Sequence, residues 1–262
     1  FVDLQVTAQG EAGTSPVVRL PFDAAAERSR FKLKEPVNPA SLRVVVGEVS
    51  VPAQLVPGTP GTELAFVWPG ALPAGPAQSC RLYMDGGNRH EPRGGPHWDA
   101  ANSRYLGPLY QVNFEQGAIT SLAMGSLPLL SYLQTSSGDT GWVIEQSNDY
   151  ELTVIADGSV CTIIEVRKRL PKGHSYHKRY EFFPDFFTVT TLSPERYGTM
   201  SRAYYVAKGQ IEDDKGNKAT IDGQGDAEDF SGKNSSPKWY ATWDQAANWA
   251  LNAVAVTPHD GL

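Results

Sequence analysis

Apolar and polar residues alternate along most of this chain with the two-residue period of half-buried strands. VDLQVTA (2–8) alternates cleanly, and PVVRLP (16–21) is a short strand bounded by prolines. SLRVVVGEVSVPAQLVP (41–57) reads as a strand pair broken at Gly47, and ELAFVWP (63–69) and AQSCRLYMD (77–85) follow Pro/Gly turns. Short strands at this spacing predict a small sandwich, so residues 1–85 are assigned to an immunoglobulin-like β-sandwich module. DAAAERSRFKL (23–33) holds helix formers without an amphipathic stripe, which predicts one turn at most.

The alternation stops at DGGNRHEPRGGPHWDAANSRYLGP (85–108), which is rich in Gly, Pro and polar residues. Residues 86–108 therefore read as a linker or long loop. Strands return with LYQVNFE (109–115), AITSLAM (118–124), GWVIEQS (141–147) and YELTVIA (150–156). They continue through 159–192 and then SRAYYVAKG (201–209), KATIDG (218–223), KWYATWD (238–244) and NWALNAVAV (248–256). Residues 109–262 are accordingly expected to form a second, larger antiparallel β-sandwich, making the chain all-β.

Composition narrows the function. A chain of 262 residues with net charge −6 lacks the basic footprint of a dedicated nucleic-acid binder. No apolar run reaches the ~18 residues of a transmembrane helix. Cys80 and Cys161 allow either one disulfide or two buried thiols. Phe1 at the start suggests a processed N-terminus, and the many Thr, Gly and Pro residues suit a secreted, periplasmic or cell-surface protein. No G-x-S-x-G, Walker, dinucleotide, H-E-x-x-H or C-x-x-C motif occurs.

Chemistry concentrates in 159–192. Six Lys or Arg residues and no acid lie between Arg167 and Tyr180. Opposite charges across a strand pair help and like charges hurt, so Glu165 should pair with Arg179, Arg167 with His177 and Ile164 with Tyr180. That register gives one apolar face (Thr162, Ile164, Val166, Tyr180, Phe182). The other face carries Glu165, Arg167, His177 and Arg179, where arginine forks could grip a carboxylate and His177 or Tyr176 could move a proton. A solvated hairpin tip is the alternative. His97 and Trp98 in the predicted loop, and Trp239 and Trp243 further on, are candidate sugar contacts, with core packing the alternative for the latter pair. Asp222, Asp226 and Glu228 are candidate calcium ligands in an acidic loop without EF-hand spacing; no other cofactor is expected.

Y-x-V-x-F-x-x-G-x-I-x-S-L (110–122), D-G-S-V-C-T-I-I-E (157–165), Y-H-K-R-Y-E-F-F-P (176–184) and W-Y-A-T-W-D (239–244) together resemble galactose-mutarotase-like proteins and β-sandwich polysaccharide lyases. The resemblance implies a sugar bound on a sheet face. It also implies His177 or Tyr176 as acid or base, and Arg167 and Arg179 as carboxylate clamps. Two functions follow as expectations. One is β-elimination on an acidic, uronate-containing polysaccharide. The other is a non-catalytic carbohydrate-binding module of a larger glycan-degrading protein. The expected partner in both is a poly- or oligosaccharide.

Overall fold

The computed structural model describes residues 1–8, 16–32, 37–58, 61–84, 95–137, 148–169, 175–192, 199–213, 215–224, 239–246 and 249–254. They form an all-β protein. β1 (Val2–Val6), β2 (Val17–Pro21), β3 (Arg43–Val46), β4 (Val49–Pro57), β5 (Thr62–Val67) and β6 (Gln78–Tyr83) make one sheet in the order β1-β6-β3-β4-β5-β2. The first half of β4 pairs with β3 and the second half with β5, so this one long strand turns the sheet around its own core. Val44, Leu64, Phe66, Trp68 and Leu82 fill that core. Gly47, at φ 58°, supplies the left-handed residue that the tight β3–β4 turn requires. Between β2 and β3, α1 (Ala24–Arg30) is longer than the single turn expected. The Asp23 carboxylate accepts from the backbone N–H groups of Ala25 and Ala26, and Arg28 and Arg30 complement the last turn. Capping and charge thus support a helix that buries no residue.

The rest of the described chain forms three antiparallel sheets around one core. β7 (His97–Asp99), β8 (Arg104–Leu106), β9 (Tyr110–Glu115), β10 (Ala118–Met124) and β11 (Leu127–Ser137) lie side by side. β12 (Tyr150–Asp157), β13 (Thr162–Arg169), β14 (Ser175–Phe182) and β15 (Phe187–Thr191) form the opposing layer. β16 (Thr199–Tyr205) adds to β11, and β17 (Gly209–Asp213), β18 (Lys218–Ile221), β19 (Trp239–Asp244) and β20 (Trp249–Val254) form the third sheet. The predicted strand at 141–147 lies outside the described residues.

Residues 97–106, expected as loop, are the β7–β8 hairpin on the edge of the β9 sheet. Each strand has only three residues, too few to show an alternation. Cross-strand pairing, β7 to β8 and β8 to β9, holds them instead of any strong propensity. Tyr105, fully buried, stacks on Phe182 at 4.7 Å and donates its hydroxyl to the Phe183 carbonyl at 2.9 Å. The Tyr110 hydroxyl donates to the Phe186 carbonyl at 2.6 Å. Burial pushes both phenols well above their ordinary pKa.

The two parts of the chain meet along a packed seam. Val56 and Ala65 of the first sheet share a buried cluster with Val160, Cys161, Ile163 and Phe183. Cys80 and Cys161 are both free, buried thiols in separate clusters.

Candidate functional site

The hairpin of β13 and β14 has the register that charge pairing dictates: Glu165 opposes Arg179, Arg167 opposes His177 and Ile164 opposes Tyr180. Thr162, Ile164, Val166, Tyr180 and Phe182 are buried on one face. On the other face a chain of contacts runs across the strands. The imidazole Nε2 of His177 lies 2.8 Å from Glu165, whose other oxygen is 3.7 Å from Arg179. Arg179 donates from Nε to Glu181 at 2.8 Å and from a terminal nitrogen to the Pro57 carbonyl at 3.3 Å. Glu181 also receives Arg19 of β2 in a two-point contact at 2.8 and 3.4 Å. The sheet of β2, β4 and β5 thus covers the middle of this face. Glu165, Arg179, Glu181 and Arg19 are partly buried in an ion network that ties the two parts of the chain together. Arg167 lies beyond the cover and is exposed.

The basic cluster divides between the two faces. Lys168 and Lys178 are buried on the core-facing side, at 1% and 3% exposure, so they add no charge to the surface beside Arg167. Tyr176 sits opposite Lys168 in the register, at a position that alternates with His177. His97 is exposed on the edge strand β7, with Nδ1 3.2 Å from the Gly95 carbonyl. Trp98 packs edge-on against Phe114 at 5.7 Å, half-buried at the rim of the large core. Trp239 and Trp243 lie on β19, opposite Val254 and Ala250. Asp222 is exposed and accepts from the Gln224 backbone N–H at 2.8 Å, whereas Asp226 and Glu228 lie outside the described residues. Among the described residues, no group of three His, Cys, Asp or Glu side chains is placed to hold a metal.

A different surface gathers polar side chains. Asp99 of β7 pairs with Arg104 of β8, Arg104 with Asn113 of β9, and Asn113 with Ser121 of β10. The β10–β11 register sets Ser131 beyond Ser121. One polar row therefore crosses five strands on the face opposite the core: Arg104, Asn113, Ser121 and Ser131 alternate with buried Tyr105, Val112, Phe114, Leu122 and Leu130, and Asp99 with half-buried Trp98. Arg104, Asn113, Ser121 and Ser131 of this row floor an open groove of about 650 Å³, also lined by Asn102, Phe114, Glu115 and Thr120, with Asp99 bonded to Arg104 outside the lining.

The groove's own bonds fix its geometry. Arg104 donates from Nε to Asp99 at 2.9 Å, and the Asn102 amide donates to the same carboxylate oxygen at 2.8 Å. The Asn102 amide first, and Arg104 second, hold the Asp99 carboxyl below its ordinary pKa. Asn113 donates from Nδ2 to the Ser121 hydroxyl at 2.7 Å. Ser103, between Asn102 and Arg104, takes φ 49°, a left-handed conformation unfavourable for a non-glycine residue. Its carbonyl accepts from the Phe114 N–H at 2.9 Å, which fixes the turn against β9. Nothing local in the sequence signals this groove, because its lining residues come from four separate strands and the β7–β8 turn.

No protein-family model matches the chain, and neither does any curated protein. Solved structures resemble it, among them two from Enterococcus faecalis. One is a protein of glycosyl hydrolase family 38 from Enterococcus faecalis, with 12% identity and a TM-score of 0.48 over 93% of this chain and 37% of that one. The other is an alpha-mannosidase from Enterococcus faecalis V583, with 12% identity and a TM-score of 0.49 over 93% of this chain and 36% of that one. The chain thus spans little more than a third of the length of either.

Proposed function

We propose that this chain is an accessory β-sandwich module of a glycan-processing protein, and that it binds carbohydrate in the groove over β8–β11. The observation that carries this reading is the registered polar row Asp99–Arg104–Asn113–Ser121–Ser131. Pockets for apolar small molecules are lined mostly by hydrophobic side chains. This groove offers amides, hydroxyls, a guanidinium and a carboxylate on a rigid sheet, the chemistry that exchanges hydrogen bonds with a polyhydroxylated ligand. Retention on immobilised glycans, lost by roughly tenfold or more in Asn113→Ala, is the expected result. Unchanged retention in that variant removes the groove from the proposal.

A second reading, β-elimination of a uronate on the outer face of β13 and β14, has one observation in its favour. The Glu165–His177 contact is of the kind that orients an imidazole for proton transfer. In that reaction His177 takes the proton beside the carboxylate, the glycosidic oxygen leaves, and a carbon–carbon double bond forms. Arg167 is an exposed cation on this face that can meet the carboxylate, whereas Arg179 already serves Glu165, Glu181 and Pro57. A screen of acidic polysaccharides for the ultraviolet absorbance of an unsaturated uronate tests this, and absorbance that persists in His177→Ala discards it.

A further inference from the structure

The charges and hydrogen-bonding directions in the groove select among sugars, given the binding reading above. Arg104 is the one cation among the lining residues, and its side chain is 37% exposed. Asp99 compensates it at 2.9 Å, and exposed Glu115 stands on the neighbouring strand. Asp99 offsets the guanidinium charge, and Glu115 on the lining then leaves the trough with an excess of negative charge. A uronate or sulfate approaching this surface is repelled, whereas a neutral sugar is not.

Hydrogen-bonding direction favours the same class. Among the described residues the terminal nitrogens of Arg104 make no hydrogen bond, since its one bond to Asp99 uses Nε. Those two nitrogens can donate to two neighbouring hydroxyl oxygens. Asn113 gives one Nδ2 hydrogen to Ser121, which leaves its second Nδ2 hydrogen as a donor and Oδ1 as an acceptor. Glu115 is an acceptor too. A sugar hydroxyl both donates and accepts and satisfies both kinds of group, whereas a carboxylate in its place only accepts and leaves Asn113 Oδ1 and Glu115 without a donor. The four adjacent strands β8–β11 span about 14 Å, the reach of an oligosaccharide.

We infer that the groove takes neutral oligosaccharides through vicinal hydroxyl pairs on Arg104, with Asp99 positioning Arg104 and cancelling its charge so that uronates are rejected. The reading of Arg104 as specificity residue rests on the carbohydrate-binding proposal, and the test separates the two.

Titration calorimetry of the full chain uses neutral gluco-, galacto- and xylo-oligosaccharides and uronate-bearing counterparts of the same linkage. The wild type should bind a neutral sugar and bind its uronate counterpart at least about fivefold more weakly. Arg104→Ala should lose the neutral sugar. Asp99→Asn and Glu115→Gln should each raise uronate affinity by about two- to fivefold, an effect that fades in high salt. Glu115 is exposed, so Glu115→Gln serves as the folded control should Asp99→Asn loosen the hairpin. Wild type binding uronates as tightly as neutral sugars, or no gain in Glu115→Gln, overturns the inference and leaves carbohydrate binding standing. Failure to bind either class, or binding untouched by both Arg104→Ala and Asn113→Ala, overturns the parent proposal as well.

Discussion

Gln54 satisfies both sides of the Cys161 peptide: its Oε1 accepts from the Cys161 N–H at 2.9 Å, and its Nε2 donates to the Cys161 carbonyl at 3.0 Å. The same Oε1 accepts from the Val160 N–H at 3.1 Å. A side-chain amide from the first sheet thus does for residues 160–161 what a neighbouring strand does elsewhere. Gln54→Ala leaves these buried groups without a partner, and urea unfolding should show a loss of about 2–4 kcal/mol. Gly158→Ala acts on the same contact, because a Cβ there would lie 2.7 Å from the Gln54 amide carbon. Stability unaffected by either change would mean that the seam contributes little.

Arg19 and Glu181 join the two parts of the chain through a two-point contact at 2.8 and 3.4 Å, with side chains 26% and 16% exposed. Partial burial and two-point geometry raise such a pair above a surface bridge, and solvent still screens it. A double-mutant cycle with Arg19→Ala and Glu181→Ala should give a coupling of about 1 kcal/mol that shrinks in high salt. A coupling of zero would reduce the network to incidental contact.

Burial pushes the Cys161 thiol up to about 12, with the nearby Arg19 guanidinium offsetting part of the rise. A raised folded pKa favours the neutral form, so this contribution is complete below the unfolded thiol value near 9 and is lost as pH climbs toward 12. The melting temperature of Cys161→Ala should therefore fall less between pH 8 and 11 than that of the wild type. In the folded wild type neither Cys161 nor buried Cys80 should react quickly with a thiol reagent at neutral pH. Rapid labelling of Cys161 without unfolding contradicts its placement.

Asp99 titrates in the opposite sense. The Asn102 amide and Arg104 favour its charged form, so its folded pKa lies below the unfolded value. Its stabilisation is present above about pH 4 and disappears as pH falls through the folded value. Asp99→Asn should be less stable than wild type at pH 6, and the gap should narrow by pH 3. A gap of the same size at both pH values means that the Asp99 charge does not hold the β7–β8 hairpin.

The β13–β14 register was legible because it sets Glu165 opposite Arg179 rather than opposite Glu181, and a one-residue slip moves every apolar neighbour to the wrong face. What lay over that face was not legible. Arg19 and Pro57 are more than a hundred positions away, and nothing near residue 179 announces them. The burial of Lys168 and Lys178 was hidden for a related reason, since a lysine in an alternating strand reads as surface. β11 was overlooked because Pro128 and a serine-rich end blur its pattern, although it pairs with strands on both sides. The groove was invisible locally: Asp99, Arg104, Asn113 and Ser121 are commonplace residues until cross-strand pairing sets them in a row.

That row has a practical meaning for anyone wishing to change what the protein recognises. Each rung belongs to a different strand, so no single loop can be transplanted to carry the specificity elsewhere. Each rung also faces away from the packed interior, so it can be rewritten without repacking what lies beneath. The sheet behaves as a writable surface, on which a small combinatorial library at 104, 113, 121 and 131 would change the message and keep the page.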